Sequence, residues 1–506
     1  MNNPISNYSV RYGVRNSVQY SVQYGARKLG KALRPVALAV SLALTACAGL
    51  PPADPAPKLA QPSDGAFVHV MPGQPATEWP VANWWAAFND PQLSNLIEQA
   101  IRNSPSMAVA QARIAQSNAQ AQMLTADSGA SVSADASLTR EHYSANSIYP
   151  PPIGGSTVNS GELGLNFSYD VDWWGRNRSL ITAALGRTAA AQAEAAGAAS
   201  TLSAAVATAY YQWQLVNSRI ALQDQIEAQR NRLVALEVPR VQAGISPGDN
   251  VTPLHADAAA PRQTRVQLET QRDQLYYQLK SLVGGAQFPV QLEAKPLPAV
   301  AAGLPASMPL DLLARRADVA ASRERVKAAL HEVDASRAAF YPDLNLSALV
   351  GFSSFSLGHL LSASSRNAGI TPALHLPLFD AGRLRAGLDS SRADVTLDIA
   401  QYDQAVQNAV AEVNDAAIAV QGAEREQASL VAQMAARKRD LASAERRMHA
   451  GLTDGREAAR DQLSVLALND QELLRQQRAI SARVALTKAL GGGYQDPAAD
   501  QIIGKN

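Results

Sequence analysis

Two stretches of this chain share one layout. Around residues 163–171 apolar and polar positions alternate, with Leu163, Leu165, Phe167 and Tyr169 on one face. Into "LPLFDAGRLRAG", residues 376–387, Leu374, Leu376 and Leu378 lead in alternation ahead of a turn. A period of two describes an extended strand with one apolar face. In both places the alternation stops near a Gly-Arg pair, Gly175-Arg176 and Gly382-Arg383, and a long helix-like run follows. The same reading predicts four strands, at 131–139, 161–171, 344–352 and 370–378. Their length is close to the ~9–11 residues that a tilted strand needs to cross a bilayer, although two hairpins of a soluble sheet fit the same alternation. Between the strands of each pair lies a loop rich in Ser, Asn, Gly or Pro, such as "SANSIYPPPIGGSTVNSG".

The helical runs are unusually long. From Gly175 to Gly244 the only proline is Pro239, and from Gly382 to Gly451 there is none. As α-helix each run spans about 100 Å. Leu215, Leu222, Ile226, Leu233 and Leu236 form a narrow coiled-coil seam in the first. Leu463, Leu466, Leu473, Ile480 and Val484 form a similar seam in the last helix. A helix with a thin apolar seam meets water over much of its surface, as the wall of a hollow helical tube does.

The two layouts belong to an internal repeat. Gly175-Arg176 recurs as Gly382-Arg383, Ala243-Gly244-Ile245 as Ala450-Gly451-Leu452, and Gly284-Gly285 as Gly491-Gly492, all at an offset of 207 residues. Each copy reads helix, strand, loop, strand, very long helix, tight turn, helix. The expected organisation is a first repeat at 81–285, a Pro-rich linker at 286–308, a second repeat at 309–492 and a tail at 493–506. Pro253 and Pro261 fall where the first repeat expects a regular helix, and a proline inside a helix is predicted to kink or break it. If the four strands sit in a membrane they cannot close a barrel alone, since the smallest use about eight, and open strand edges are not tolerated in lipid. Two chains would give eight strands and three would give twelve, and only the larger leaves a generous lumen.

Composition narrows the function. The 506-residue chain has a formal net charge of +1 and 18% charged residues, so no global field attracts nucleic acid. No run of 18 apolar residues follows residue 47, which leaves no ordinary transmembrane helix but says nothing against short barrel strands. Residues 1–46 read as a signal peptide, with Arg27, Lys28, Lys31 and Arg34 ahead of the apolar "PVALAVSLALTA". Its first 26 residues are long for such a leader and suggest a start codon placed too far upstream. Leu44-Thr45-Ala46-Cys47 matches the bacterial lipobox, in which the sole cysteine, Cys47, takes the lipid. A small cysteine buried in a helix is the alternative, and Pro51-Pro52 stops any helix there. Residues 47–80 form a Pro-rich tether.

Catalytic patterns are weak. Gly244-Ile-Ser-Pro-Gly248 spells the nucleophile-elbow motif but ends a long helix instead of following a strand. The seven histidines are scattered, His331 and His359 being the nearest pair in the second repeat, and none has metal-ligand spacing. No Gly-rich phosphate loop is present, so neither catalysis nor a cofactor is expected and energy must come from a partner.

The chain resembles the TolC-like outer-membrane efflux channels, in the OprM/NodT-type lipoprotein branch. The matching stretches are the lipobox, "WWAAFNDPQLSNLIEQAIRNSP" (84–105), "SYDVDWWGRNR" (168–178), "RRADVAASRERVKAALHEVDASRAAFYPDLNLSALVGF" (315–352), "LPLFDAGRLRA" and "EVNDAA" (412–417), over about residues 80 to 492. The resemblance implies a mainly α fold with membrane β. A long periplasmic α-helical barrel and four β-strands per chain build a homotrimer with a 12-stranded outer-membrane β-barrel. It also implies a periplasmic adaptor, an inner-membrane pump and outer-membrane lipid as partners, and small-molecule export. An outer-membrane duct for type I protein secretion and a lipoprotein scaffold with a coiled-coil stalk are the other readings. The adaptor docks, by this resemblance, at two tips: Arg240, Gly244, Ile245 and Ser246, and Arg447, Gly451, Leu452 and Thr453. Two acids six and nine positions past the second tip glycine line the family's pore constriction. Here these positions hold Glu457 and Arg460, so Glu457 is either a constriction residue or a solvated surface acid. Gly175 and Gly382 would turn the chain from strand to helix. Arg176 and Arg383 would mark where it leaves lipid, or are plain helix-start residues.

Overall fold

The computed structural model describes residues 54–55, 58–60, 67, 79–146, 148–285, 288–289, 291–299 and 315–496. The signal peptide, Cys47, most of the tether, Pro305, Pro309 and the end of the tail lie outside the described residues. In chain order the elements are α1 (Pro91–Asn103), α2 (Pro105–Asp127), β1 (Ser131–His142), β2 (Thr157–Val171), α3 (Arg176–Gln242), α4 (Val251–Val283), α5 (Ala317–Ala338), β3 (Asp343–Ser354), β4 (Arg366–His375), α6 (Arg383–His449) and α7 (Arg456–Ala489). The chain divides into two compact units. One holds the strands and the strand–helix joints, and the other holds most of the helices. Among the described residues no helix is long and apolar enough to cross a membrane.

In the first unit the four strands form one antiparallel sheet in the order β1-β2-β3-β4. β1 pairs with β2 from Ser131↔Ser168 to His142↔Thr157, β2 with β3 through Leu165↔Val350, and β3 with β4 through Ala348↔Ile370. β1 and β4 each keep one unpaired edge. β4 ends at His375, short of the expected 378. Pro377 has no N–H to give a ladder, and Leu378 and Phe379 lie outside the strand, 77% and 92% exposed.

The second unit is helical. α3 and α6 are each 67 residues long, and α4 and α7 are 33 and 34. The repeat persists in the interior: Val206 and Val413, and Leu279 and Leu486, occupy equivalent positions and are fully buried. α1 starts with Pro91 behind Asp90, whose carboxylate accepts from the backbone N–H of Gln92 and Leu93, the usual N-terminal cap. Its Leu93, Leu96 and Ile97 pack with Tyr210, Tyr211, Leu275 and Leu279 in the largest apolar cluster. The seam residues Leu222, Leu233, Leu466, Ile480 and Val484 are buried.

α4 contradicts the expectation of a proline break. Pro253 is its third residue, where an N–H has no intrahelical acceptor to lose. Pro261 lies inside, and the helix continues unbroken around it. The carbonyl that Pro261 leaves without an i+4 donor is that of Asp257, and it accepts instead from Arg230 Nη1 at 2.6 Å.

Candidate channel wall, joints and helical tips

The sheet has two chemically opposite faces. Directly paired residues point to the same side, so the register assigns every strand residue to a face. One face carries Val132, Ala134, Ala136 and Leu138 of β1, then Leu163, Leu165, Phe167 and Tyr169 of β2. Across β3 and β4 it continues as Leu346, Ala348, Val350, Phe352, Ile370 and Leu374. The other carries Ser133, Asp135, Ser137, Glu162, Asn166, Ser168, Asp170, Asn345, Ser347, Thr371 and His375. Polar residues there bond to one another: Asn166 donates to Asp135 at 2.6 Å, and Asn345 donates to Asp170. The apolar face is bare. Leu138 is 72%, Ile370 76% and Leu374 70% exposed. In water this is a large aggregation-prone surface, whereas hydrocarbon outside and a wet lumen inside satisfy both faces.

Aromatic residues collect at both ends of the sheet. At the helix-side end Trp174 stacks on Tyr341 with centroids 4.4 Å apart, its indole N–H donates to the Pro342 carbonyl at 2.9 Å, and Trp173 is exposed. At the loop end Tyr143 and Tyr149 meet edge to face at 5.0 Å. Amphipathic rings at two levels suit the two interfaces of a bilayer.

At the joints Gly175 and Gly382 adopt φ of 75° and 86°, and Arg176 and Arg383 are the first residues of α3 and α6. Both arginines line one cleft with Trp174, Tyr341 and Asp170. Two carboxylates not anticipated from the sequence start the helices. Asp172 accepts from the backbone N–H of Asn177 and Arg178, and Asp380 from that of Gly382 and Leu384. An Asp two or three residues before each glycine was the available signal.

The tips are well-defined turns. Gly244 and Gly451 both have φ of 70°. Ile245 N–H donates to Arg240 O at 2.8 Å, and Leu452 N–H to Arg447 O at 2.9 Å. This left-handed C-terminal cap favours glycine. Ile245 and Leu452 project into solvent, 64% and 75% exposed. Ser246 does not face a histidine; its hydroxyl donates to Glu237. The Thr453 hydroxyl oxygen is buried and has no hydrogen-bond partner among the described residues.

A charged network joins the two tips, and it escaped the sequence reading. Arg240 Nη1 of the first tip reaches Asp454 of the second at 3.0 Å, and Arg456 reaches back to Glu237 at 2.7 Å and to Asp454 at 2.9 Å. Glu237 is 3% exposed. The Ser246 hydroxyl and then Arg456 hold the Glu237 carboxyl below its ordinary range, and Arg456 holds Asp454 down in the same way. Glu457 forms an ion pair with Arg447, and both are about half exposed. No local pattern announces pairs separated by more than 200 residues.

The sequence pattern of the family described as "Outer membrane efflux protein" matches residues 96–285 and 308–492. The multidrug resistance outer membrane protein MdtQ of Escherichia coli O6:H1 is 34% identical over 426 residues, covering 82% of this chain and 89% of MdtQ. MdtP of Escherichia coli strain K12, also named a multidrug resistance outer membrane protein, is 34% identical over 429 residues, 82% and 87% of the two chains. The outer membrane protein VceC of Vibrio cholerae superimposes with a TM-score of 0.74 at 31% identity, over 82% of this chain and all of VceC. With about three-quarters of its length in one family pattern, a four-stranded sheet of opposite faces and paired long helices, this chain belongs to the outer membrane efflux protein family.

Proposed function

We propose that this protein is the outer-membrane exit duct of a tripartite efflux system, passively exporting drugs, aromatic acids or other small molecules delivered by an inner-membrane pump through a periplasmic adaptor. The observation that carries the reading is the sheet, apolar on one face, polar on the other and unpaired at both edges. Three copies, joined β4 to β1, would supply twelve strands around a wet lumen with no edge left in hydrocarbon. The long helices of the three copies would form the periplasmic tunnel. Cys47 would carry the lipid anchor. The tips around Gly244 and Gly451, with Ile245 and Leu452 exposed, would receive the adaptor. Native mass spectrometry of detergent-extracted protein should give three chains, each with a diacylglycerol-type mass addition at Cys47, and planar bilayers should show single-channel conductance. A stable monomer or dimer that conducts would sink the model. Gly451→Arg together with Leu452→Asp should leave trimer and conductance intact while removing efflux. Full resistance in cells carrying both changes at normal protein level would return the tips to plain turns.

A further inference from the structure

The apolar face of the sheet is not apolar throughout. Arg140 of β1 shares the face of Ala136 and Leu138, and Arg366, the first residue of β4, pairs with Phe352 and shares the face of Ile370. Both side chains are exposed, and neither guanidinium bonds to another described residue. They are the only full positive charges on the strands' apolar face, which carries no carboxylate. Asp135, Glu141, Glu162, Asp170 and Asp343 all lie on the opposite face.

Both arginines sit at the same end of the sheet, away from the strand–helix joints. The register gives their relative height. β1 and β2 end together at His142↔Thr157, whereas β4 begins at Arg366, level along the ladder with Phe352, Leu163 and Ala136. The outer strand ends thus step down the ladder from β1 to β4, which is the stagger of strands tilted in a barrel. In a flat membrane slab the ladder climbs toward β4 by the same amount, which brings Arg366 to about the height of Arg140. Within one chain the two residues lie on opposite edges, three strand spacings across the sheet and four residues along it, about 20 Å apart. Were β4 of one protomer to pair with β1 of the next at that height, the two would stand one strand spacing apart, about 4.8 Å between strands.

We propose that Arg140 of one protomer and Arg366 of its neighbour form a phosphate clamp at each seam of the assembled barrel, holding the head group of an anionic, multiply acylated lipid of the outer leaflet. Two guanidinium forks one strand apart match the several oxygens of one phosphate. The strips beneath them, through Leu138 on β1 and Ile370 and Leu374 on β4, are bare hydrocarbon on which acyl chains can lie. The site exists only in the assembly, and so rests on the edge-to-edge closure proposed above. An arginine at the rim that merely extends to water would show no preference among lipids.

The test is native mass spectrometry of the purified assembly titrated with diphosphoryl lipid A, and separately with its dephosphorylated form, with a chelator present so that no divalent ion bridges. Diphosphoryl lipid A should saturate at one per seam and bind more tightly than the dephosphorylated form. Arg140→Gln with Arg366→Gln should weaken it about tenfold or more, with oligomer mass and conductance unchanged. Equal binding of the two lipids, or undiminished binding to the double variant, overturns the proposal. If the double variant fails to assemble, the comparison of the two lipids on the parent protein decides. Disulfide formation between Leu138→Cys and one of Arg366→Cys, Ala368→Cys or Ile370→Cys of a neighbouring chain tests closure separately, and absence of all three crosslinks would sink the barrel reading itself.

Discussion

The two helical tips start alike and finish differently. Gly244 and Gly451 share φ, hydrogen-bond pattern and open surroundings. Beyond them the first tip passes through Pro247 and one 3-10 turn, Gly248–Asn250, before α4 begins. The second turns at Gly455, φ 83°, directly into α7. Of the four residues that join the tips three differ between the repeats, while Arg240 recurs as Arg447. Glu237 stands where the second repeat has buried Ala444, Asp454 where the first has Pro247, and Arg456 where the first has Asp249. Two copies of the first tip would lack Asp454 and Arg456, and two copies of the second would lack Glu237, so neither copy alone holds this network. Duplication supplied two turns, and divergence made them complementary.

The largest expected effect probes what the repeats still share, the glycines that end the return helices. A Cβ on Gly491 would fall 1.9 Å from the Arg315 carbonyl oxygen, and one on Gly284 would fall 2.6 Å from that of Asn103. Both have positive φ. Gly491→Ala and Gly284→Ala should each destabilise by about 2–4 kcal/mol, through backbone strain and overpacking, with the former worse. Thermal unfolding of the assembly measures both, and parity with the parent would mean that the close approach relaxes freely.

Next comes the link between the tips. Glu237→Ala should speed hydrogen exchange around 237–246 and 447–456, leaving the rest of the helices unchanged. Acid should do the same. Carboxyls held below their ordinary values of 4.5 for Glu237 and 3.8 for Asp454 stabilise fully above those values. Their contribution is lost as pH falls through the lower folded values. Exchange protection at the tips should therefore be flat above pH 4.5 and decline below it in the parent, decline less in Glu237→Ala, which keeps the paired Asp454, and not decline in Glu237→Ala with Asp454→Ala. Identical acid profiles would remove these two carboxyls from the link.

A smaller effect concerns Glu457. Paired with Arg447 and half exposed, it has a weak tie. Glu457→Ala should lower the cation preference of the channel and Arg447→Ala should raise it, each by a factor of about two or three on reversal potentials. No change in either variant would place Glu457 outside the ion path. Smallest of all, Gly244→Ala and Gly451→Ala should each cost about 1 kcal/mol and equally, because nothing lies within 4 Å of either new methyl. Unequal costs would show that the tips already differ at the turn.

What the sequence made legible was local. Alternation from Leu163 to Tyr169 and from Leu344 to Phe352 predicted strands because a period of two needs no distant partner. The 207-residue offset predicted paired helices of equal length, and α3 and α6 both have 67 residues. The errors came where a distant group intervened or a local rule was missed. Alternation runs on through Leu376 and Leu378, yet Pro377 ends the ladder. Pro261 was expected to kink or break its helix, which runs on unbroken with the freed Asp257 carbonyl met by Arg230, 27 residues upstream. Asp172 and Asp380 were visible as helix caps and went unread, whereas Glu237 and Arg456 stand 219 residues apart and no nearby spacing pairs them.

The unpaired edges of β1 and β4 have a genetic consequence. If three chains share every barrel, a defective chain does not simply lower the dose. In a cell making equal amounts of sound and edge-damaged protein that mix freely, only about one trimer in eight is built wholly from sound chains. A charged substitution at the β1–β4 seam should therefore behave as dominant, while loss of the gene on one of two copies should pass almost unnoticed. Inheritance pattern would thus read out the same feature as the register, because in such an assembly the edge strand of one chain is closed only by the edge strand of another.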